Sequence, residues 1–314
     1  MNKESFVSEK FNLDLKRPEG CKTVSYSQYS TWAKCPMQWK IKYIDKVKEY
    51  TPSIHTIFGT AMHNVIQQWL QVLFNETVKK SNEMDFNLML MNEMKSEYSN
   101  EIKKFGKSFL TKEELSEFYL DGIEILNYLR KKRKLYFDRT NHELVATEMP
   151  LIVCPDPTKP NLIFEAYLDI VLKEKNGTKF FIPDLKTSTR GWNKWDKEDE
   201  IKINQLKLYK NFLSKQYNIP IDQIEVEYVI LKRKIDLDSM YPQRRVQVFK
   251  PSQGSISMNK AMKSFEQFLN ECFLETGDYN LANSFKTNTG KNNSNCRFCE
   301  FKNREDLCPK LNRI

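Results

Sequence analysis

Between two runs rich in β-branched and aromatic residues, LIFEAYLDIVL and TKFFIPDLKT, stands EKNGTK, whose Asn176-Gly177 pair is the strongest short-range signal for a hairpin. Read as a two-residue type I′ turn, it pairs Lys175 with Thr178 and fixes the register behind them. Counting back sets Asp169 opposite Asp184, with Cβ atoms expected about 4.5 to 5.5 Å apart on one face. Period-two alternation adds Lys186 to that face. It sends Phe164, Ala166, Leu168, Ile170, Leu172, Phe181, Pro183 and Leu185 to the other, an apolar set expected to pack on helices.

Two carboxylates so placed repel unless a proton or cation intervenes, and a divalent hard cation is the natural partner. Such an ion polarises a phosphate and lowers the pKa of bound water, while a nearby lysine positions that water or neutralises developing charge. That chemistry fits phosphodiester hydrolysis. A solvent-facing hairpin with unrelated charges is the competing reading of the same residues.

The surrounding pattern is that of an α/β chain. Helical spacing recurs over Ser27 to Ile44, in FGTAMHNVIQQWLQVLF with His63 in the first turn or two, over about 85–139, in EIKINQLKLYKNFLSKQ, and from Ser257 to Leu274. Strands are expected in LVATEMPLIV, IEVEYVILKR and RRVQVFK. This order predicts a mixed central sheet flanked by helices. Residues 1–20 read as a tail and 21–290 as one domain with a helical insertion over about 81–140. Residues 291–314 read as a cysteine-bearing segment packed with Cys35.

At 314 residues and 40% apolar composition the chain can bury a sizeable core. Neither a signal-peptide core nor an apolar run of membrane-spanning length is present, so a cytoplasmic protein with no membrane partner is expected. The formal charge of +9 favours a polyanionic partner, although lysine-rich faces are also often merely solvated. Basic runs at Arg130 to Lys134, Lys232 to Lys234 and Arg244-Arg245 are candidates for a phosphate track. Trp192 and Trp195 in RGWNKWDK are candidates for stacking on unpaired bases, against the alternative that they cover the core.

Of seven cysteines, Cys296, Cys299 and Cys308 form a C-x2-C-x8-C array in CRFCEFKNREDLC, a metal-ligand spacing in a reducing compartment. A fourth ligand is required. Cys21, Cys154 and Cys272 belong to no such pattern and read as plain thiols.

IPDLKT, with Asp169 in AYLDIV ahead of it, resembles the PD-(D/E)xK nuclease superfamily, and specifically its RecB-like branch. GTAMH, ending at His63, is similar to the GxxxH element of that branch. Glu148 in ATEMPL resembles the acid on its leading strand, and QLKLY, Gln205 to Tyr209, is similar to its QxxxY helix motif. The resemblance implies a restriction-endonuclease-like fold over about 25–310. It also implies Mg²⁺ or Mn²⁺ held by His63, Asp169, Asp184 and the Leu185 carbonyl, with Lys186 assisting catalysis. Gln205 and Tyr209, on one helix face at i, i+4, would orient the site and contact DNA. Read alone, His63 and Tyr209 are packed core residues.

One N-terminal and three C-terminal cysteines resemble the iron-sulfur staple of RecB-like nucleases such as CRISPR-associated spacer-processing enzymes and the AddB subunit. By that resemblance Cys35, Cys296, Cys299 and Cys308 hold a four-iron, four-sulfur cluster that staples the C-terminus, with zinc as the alternative. The implied activity is a DNA exonuclease working on ends or single strands in recombination, repair or replication. A non-catalytic DNA-binding or assembly subunit and a site-specific endonuclease are the alternatives. No GxxxxGK[ST] string occurs, so a motor would be a separate helicase or recombination partner, or the chain would act as a homo-oligomer.

Overall fold

The turn that sets the register does so by a different route. In the computed structural model, which describes residues 11–47, 53–106, 110–236 and 238–309, β3 (Leu162–Glu174) and β4 (Phe180–Ser188) pair antiparallel through Leu172 with Phe181 and Lys173 with Phe180. Those pairs are the ones the turn count requires. The turn itself is a four-residue loop closed by Glu174 N–H donating to the Lys179 carbonyl at 3.0 Å. Neither Asn176 nor Gly177 has positive φ, so the type I′ geometry is not adopted. Gly177 lies against the flexible end of the Glu174 side chain.

Among the described residues six strands form one mixed sheet. β1 (Lys22–Val24) lies parallel to the start of β3, and β2 (His142–Val153) is antiparallel to β3 along most of its length. β4 runs parallel to β5 (Ile224–Lys232) through its whole length, and β6 (Val246–Phe249) closes antiparallel on β5. Because β4 follows β5, the β3–β4 ladder ends after two pairs and the strands separate toward Asp169 and Asp184. The two acids are therefore not directly opposed rungs, as ideal pairing would make them.

Both sheet faces are covered, which makes three layers. Along β5, Val229 and Leu231 join one core with α3 (Ile54–Asn75), α5 (Phe86–Phe105) and α6 (Lys112–Lys131). Val226, Tyr228 and Ile230 join the other with α1 (Tyr26–Lys34), α9 (Glu200–Tyr217) and α10 (Ser255–Cys272). The short helices are α2 (Pro36–Trp39), α4 (Val78–Glu83), α7 (Arg133–Tyr136), α8 (Lys194–Glu198) and α11 (Ser294–Arg297).

The apolar set assigned to one face of the hairpin is divided between the two cores. Phe164 and Leu168 lie in the second core, whereas Ile170, Leu172 and Leu185 lie in the first. The cause is on β2, where the register shifts between Leu144 and Ala146 and Glu148, facing Asp169, takes a left-handed φ of 51°. Such irregularities sharpen strand twist and re-aim side chains.

Pro36 ends α1 at Cys35, so the helix expected through Ile44 breaks there before continuing as α2 and a π-helical turn over Lys40–Ile44. α3 begins at Ile54 behind the Ser53 cap, placing His63 in its third turn and not its first. Within the span read as a tail, Phe11 is buried, edge-on to Phe180 and Tyr217 at 5.8 and 4.9 Å. Residues 1–10 and 310–314 lie outside the described residues.

Candidate active site

Where β3 and β4 part, side chains bridge the gap. The Asp169 carboxylate accepts the Leu185 backbone N–H at 2.7 Å, standing in for the lost ladder. Its other oxygen faces His63 Nδ1 at 3.6 Å. Asp184 is buried, with Oδ2 2.5 Å from Lys186 Nζ, and Gln205 Nε2 reaches Oδ1 at 3.4 Å while donating to Tyr209 Oη at 2.9 Å. His63, Asp169, Asp184, Lys186, Gln205 and Tyr209, spread over 147 positions of sequence, thus meet in one place.

Burial dominates the electrostatics. It pushes the Asp184 carboxyl up to about 6, Asp169 adds to the rise, and Lys186 opposes it. For Asp169 burial also raises the pKa, but His63, Lys186 and the Leu185 amide outweigh it and hold the acid below its ordinary range. Burial pulls His63 down, yet the Asp169 carboxylate leaves it above the ordinary imidazole value. Tyr26, Tyr209 and Tyr228 are held protonated, by burial first and then by nearby acids, Asp184 among them.

Three contributors escape sequence reasoning. Gln67, one turn beyond His63 on α3 and buried, donates to Glu148 Oε1 at 2.5 Å and to the Asp169 backbone carbonyl at 3.2 Å. Its i, i+4 spacing from His63 was the available signal. Tyr228 neighbours Asp184 across the parallel β4–β5 ladder, lies under Lys186 Nζ at 5.7 Å from its ring centre, and donates to the Lys202 carbonyl at 2.7 Å. Tyr26 donates to the Ile201 carbonyl at 3.1 Å. No local pattern marks either tyrosine.

Other candidates divide. Trp192 packs on Tyr228 at 4.6 Å and on Phe249 at 6.0 Å, and its backbone exchanges hydrogen bonds with Gln247. Trp195, on α8, is 78% exposed and available for contact. Arg233 and Lys234 are not free for phosphate, because Asp121 and Glu117 of α6 pair with both and Arg233 lies 3.5 Å above the Phe118 ring. Arg245 similarly pairs with Glu124 at 3.6 Å. These cations dock α6 onto the sheet.

Among the described residues, no three His, Cys, Asp or Glu side chains stand in a preformed ligand cluster. The donors at the hairpin are instead held by one another and by the chain. Asp184 Oδ2 is buried against the Lys186 ammonium. Two carboxylates gathered at one site are groups a further cation would satisfy. The chemistry of the set, two carboxylates and an imidazole, also fits a hard divalent ion.

Cys35 from the N-terminal part of the chain and Cys296, Cys299 and Cys308 from the C-terminal part line one small cavity of about 20 Å³. Asn288 N–H donates to Cys35 Sγ at 3.4 Å. Burial raises the Cys299 thiol, the Phe301 amide opposes this, and Cys35 and Cys296 are near enough to add to the rise. Cys154 donates to the Asp156 carbonyl, and Cys272 is buried in the core with its thiol pushed up.

A mixed sheet between helical layers, with a splayed hairpin carrying two acids and a lysine, defines a restriction-endonuclease-like α/β fold. Residues 23–308 match the profile of the PD-(D/E)XK nuclease superfamily. The chain belongs to that superfamily, whose members are typically metal-dependent nucleases. No curated protein matches it.

Proposed function

We propose that the chain is a divalent-metal-dependent deoxyribonuclease of the RecB-like kind, an exonuclease acting on DNA ends or single strands in recombination, repair or replication. The observation that carries this reading is the convergence of two acids, Asp169 and Asp184, with His63 and Lys186 where the hairpin parts. His63, Asp169, Asp184 and the Leu185 carbonyl would hold Mg²⁺ or Mn²⁺. When bound, such an ion polarises the scissile phosphate and lowers the pKa of attacking water.

The chain's own groups do the rest. Asp169 accepts the Leu185 N–H and so fixes the peptide plane that Leu185 shares with Asp184. Lys186, 32% exposed at its side chain, can reach the substrate while Asp184 and the Tyr228 ring restrain it. Gln205 holds Asp184 and Tyr209 together, and Trp195 offers a stacking surface on the following helix. His63, Gln205 and Tyr209 support the RecB-like reading by converging on the acids, and with it the preference for ends. Cys35, Cys296, Cys299 and Cys308 would hold an iron-sulfur cluster, with zinc as the alternative; their shared cavity and amide-to-sulfur contacts suit thiolate ligation.

The deciding experiment incubates purified protein with Mg²⁺ or Mn²⁺ and either linear or covalently closed circular DNA. Degradation of the linear substrate alone is expected, and it should vanish in Asp184→Ala and Lys186→Ala variants that remain folded. Cutting of closed circles would replace the exonuclease with an endonuclease, and cleavage undiminished in both variants would remove the assignment.

A further inference from the structure

The basic residues fall into two sets. Arg233, Lys234 and Arg245 are neutralised by Glu117, Asp121 and Glu124. At the other end of α6 the situation is reversed. Arg133, Lys134, Arg139 and Lys175 surround a hollow floored by Leu73, Val78 and Phe137, and Lys131 and Lys132 line the adjoining groove. Arg133 donates to the Arg130 carbonyl at 3.1 Å, Arg139 to the Glu76 carbonyl at 3.3 Å, and Lys175 to the Arg139 carbonyl at 2.5 Å. Carbonyls orient these side chains without cancelling their charge. The acid in the hollow, Asp138, accepts from the Thr140 amide and the Asn141 side chain, which hold it anionic, so it offsets one of these cations.

Four cations against one carboxylate in one concavity, three of them oriented by carbonyls, concentrate positive potential as a dispersed lysine surface does not. Leu73, on its floor, lies ten residues or about 15 Å along α3 from His63. At about 3.4 Å per charge along a strand, that distance is four or five nucleotide steps. We propose that this hollow is a second DNA contact, binding the phosphodiester backbone four or five nucleotides from the scissile bond. The inference rests on the nuclease reading above and adds where the substrate runs.

The test measures equilibrium binding of a fluorescein-labelled duplex of about two helical turns in EDTA, which separates binding from cleavage, across a salt series. Three proteins are compared: wild type, Arg133→Glu/Lys134→Glu, and Lys103→Glu/Lys263→Glu, which makes the same change in net charge elsewhere on the exposed surface. The patch variant is expected to lower the slope of log K against log salt by about 2, since each lost duplex phosphate contact removes about 0.9. The control should retain the wild-type slope, and melting temperatures should agree. Patch and control variants with equal slopes would overturn the proposal, as would a patch that binds anionic vesicles and not DNA. Wild type that binds and digests DNA while the patch variant matches the control sinks only this inference; wild type with neither property sinks the nuclease reading too.

Discussion

Through its side-chain Nε2, Gln67 donates to the Glu148 carboxylate and to the backbone carbonyl of Asp169, tying a left-handed residue on β2 to the acid strand beside it. Left-handed backbone at a residue other than glycine costs on the order of 1 to 3 kcal/mol and persists only where surroundings hold it. Gln67 is one such hold. Gln67→Ala should therefore destabilise the protein by about 1 to 3 kcal/mol, the loss of a buried hydrogen-bond partner. Denaturant midpoints measure this, and Gln67→Ala matching wild type would mean that Glu148 is held by other contacts.

Asp184 behaves oppositely. Its folded-state pKa, raised to about 6, lies above the unfolded value, so its protonated form stabilises the fold at low pH and that contribution is lost as pH rises through about 6. Asp184→Asn should raise the melting temperature of the metal-free protein at pH 8 while reducing DNA cleavage by about a hundredfold or more. A lower melting temperature would show that the ionised acid is better compensated than its burial implies.

Metal binding inherits the same titration. An ion must displace the proton from Asp184, so Mn²⁺ affinity should weaken as pH falls through about 6. Calorimetric titration at pH 5.5 and pH 7.5 reads this directly, and equal affinities would remove Asp184 from the ligand set.

Arg233 has a side chain only 8% exposed and holds Asp121 at 2.8 Å. Arg233→Ala would leave Asp121 partly buried and without that partner, and should destabilise by about 3 kcal/mol. Urea unfolding is the check; a change under about 0.5 kcal/mol would mean that Lys234 alone compensates Asp121.

The protein purified without oxygen should be brown and lose its visible absorption in Cys299→Ser. Colourless protein carrying stoichiometric zinc would transfer the four cysteines to the alternative metal.

Much of the site was legible because its signals are local. The hairpin register followed from counting back from the Asn176-Gly177 turn, and it holds at Leu172–Phe181 and Lys173–Phe180 although Asn176 and Gly177 adopt a different turn geometry. Gln205 and Tyr209 came from the resemblance of QLKLY to the QxxxY motif, and their i, i+4 spacing puts them on one helix face, where they meet. Tyr228 and Tyr26 were not legible, because parallel β4–β5 pairing and the approach of α1 to α9 are long-range matters of packing with no periodic trace. The basic run at Lys232 to Lys234 misled for a related reason: its counter-charges lie more than a hundred positions earlier, on α6. The single-face apolar hairpin failed because the irregular backbone of β2, invisible in composition, twists its neighbour.

The segment bearing Cys35 is also held from afar. Asn295 donates to the Lys34 carbonyl across 261 positions, Gln38 to Glu300 across 262, and the Asn288 amide to Cys35 across 253. During synthesis α1 and α2 emerge long before these partners exist, and apolar Trp32 and Trp39 must wait uncovered. Closure between such distant positions is slow, so this stretch should be the last to become protease-resistant and the one on which a chaperone has the longest hold.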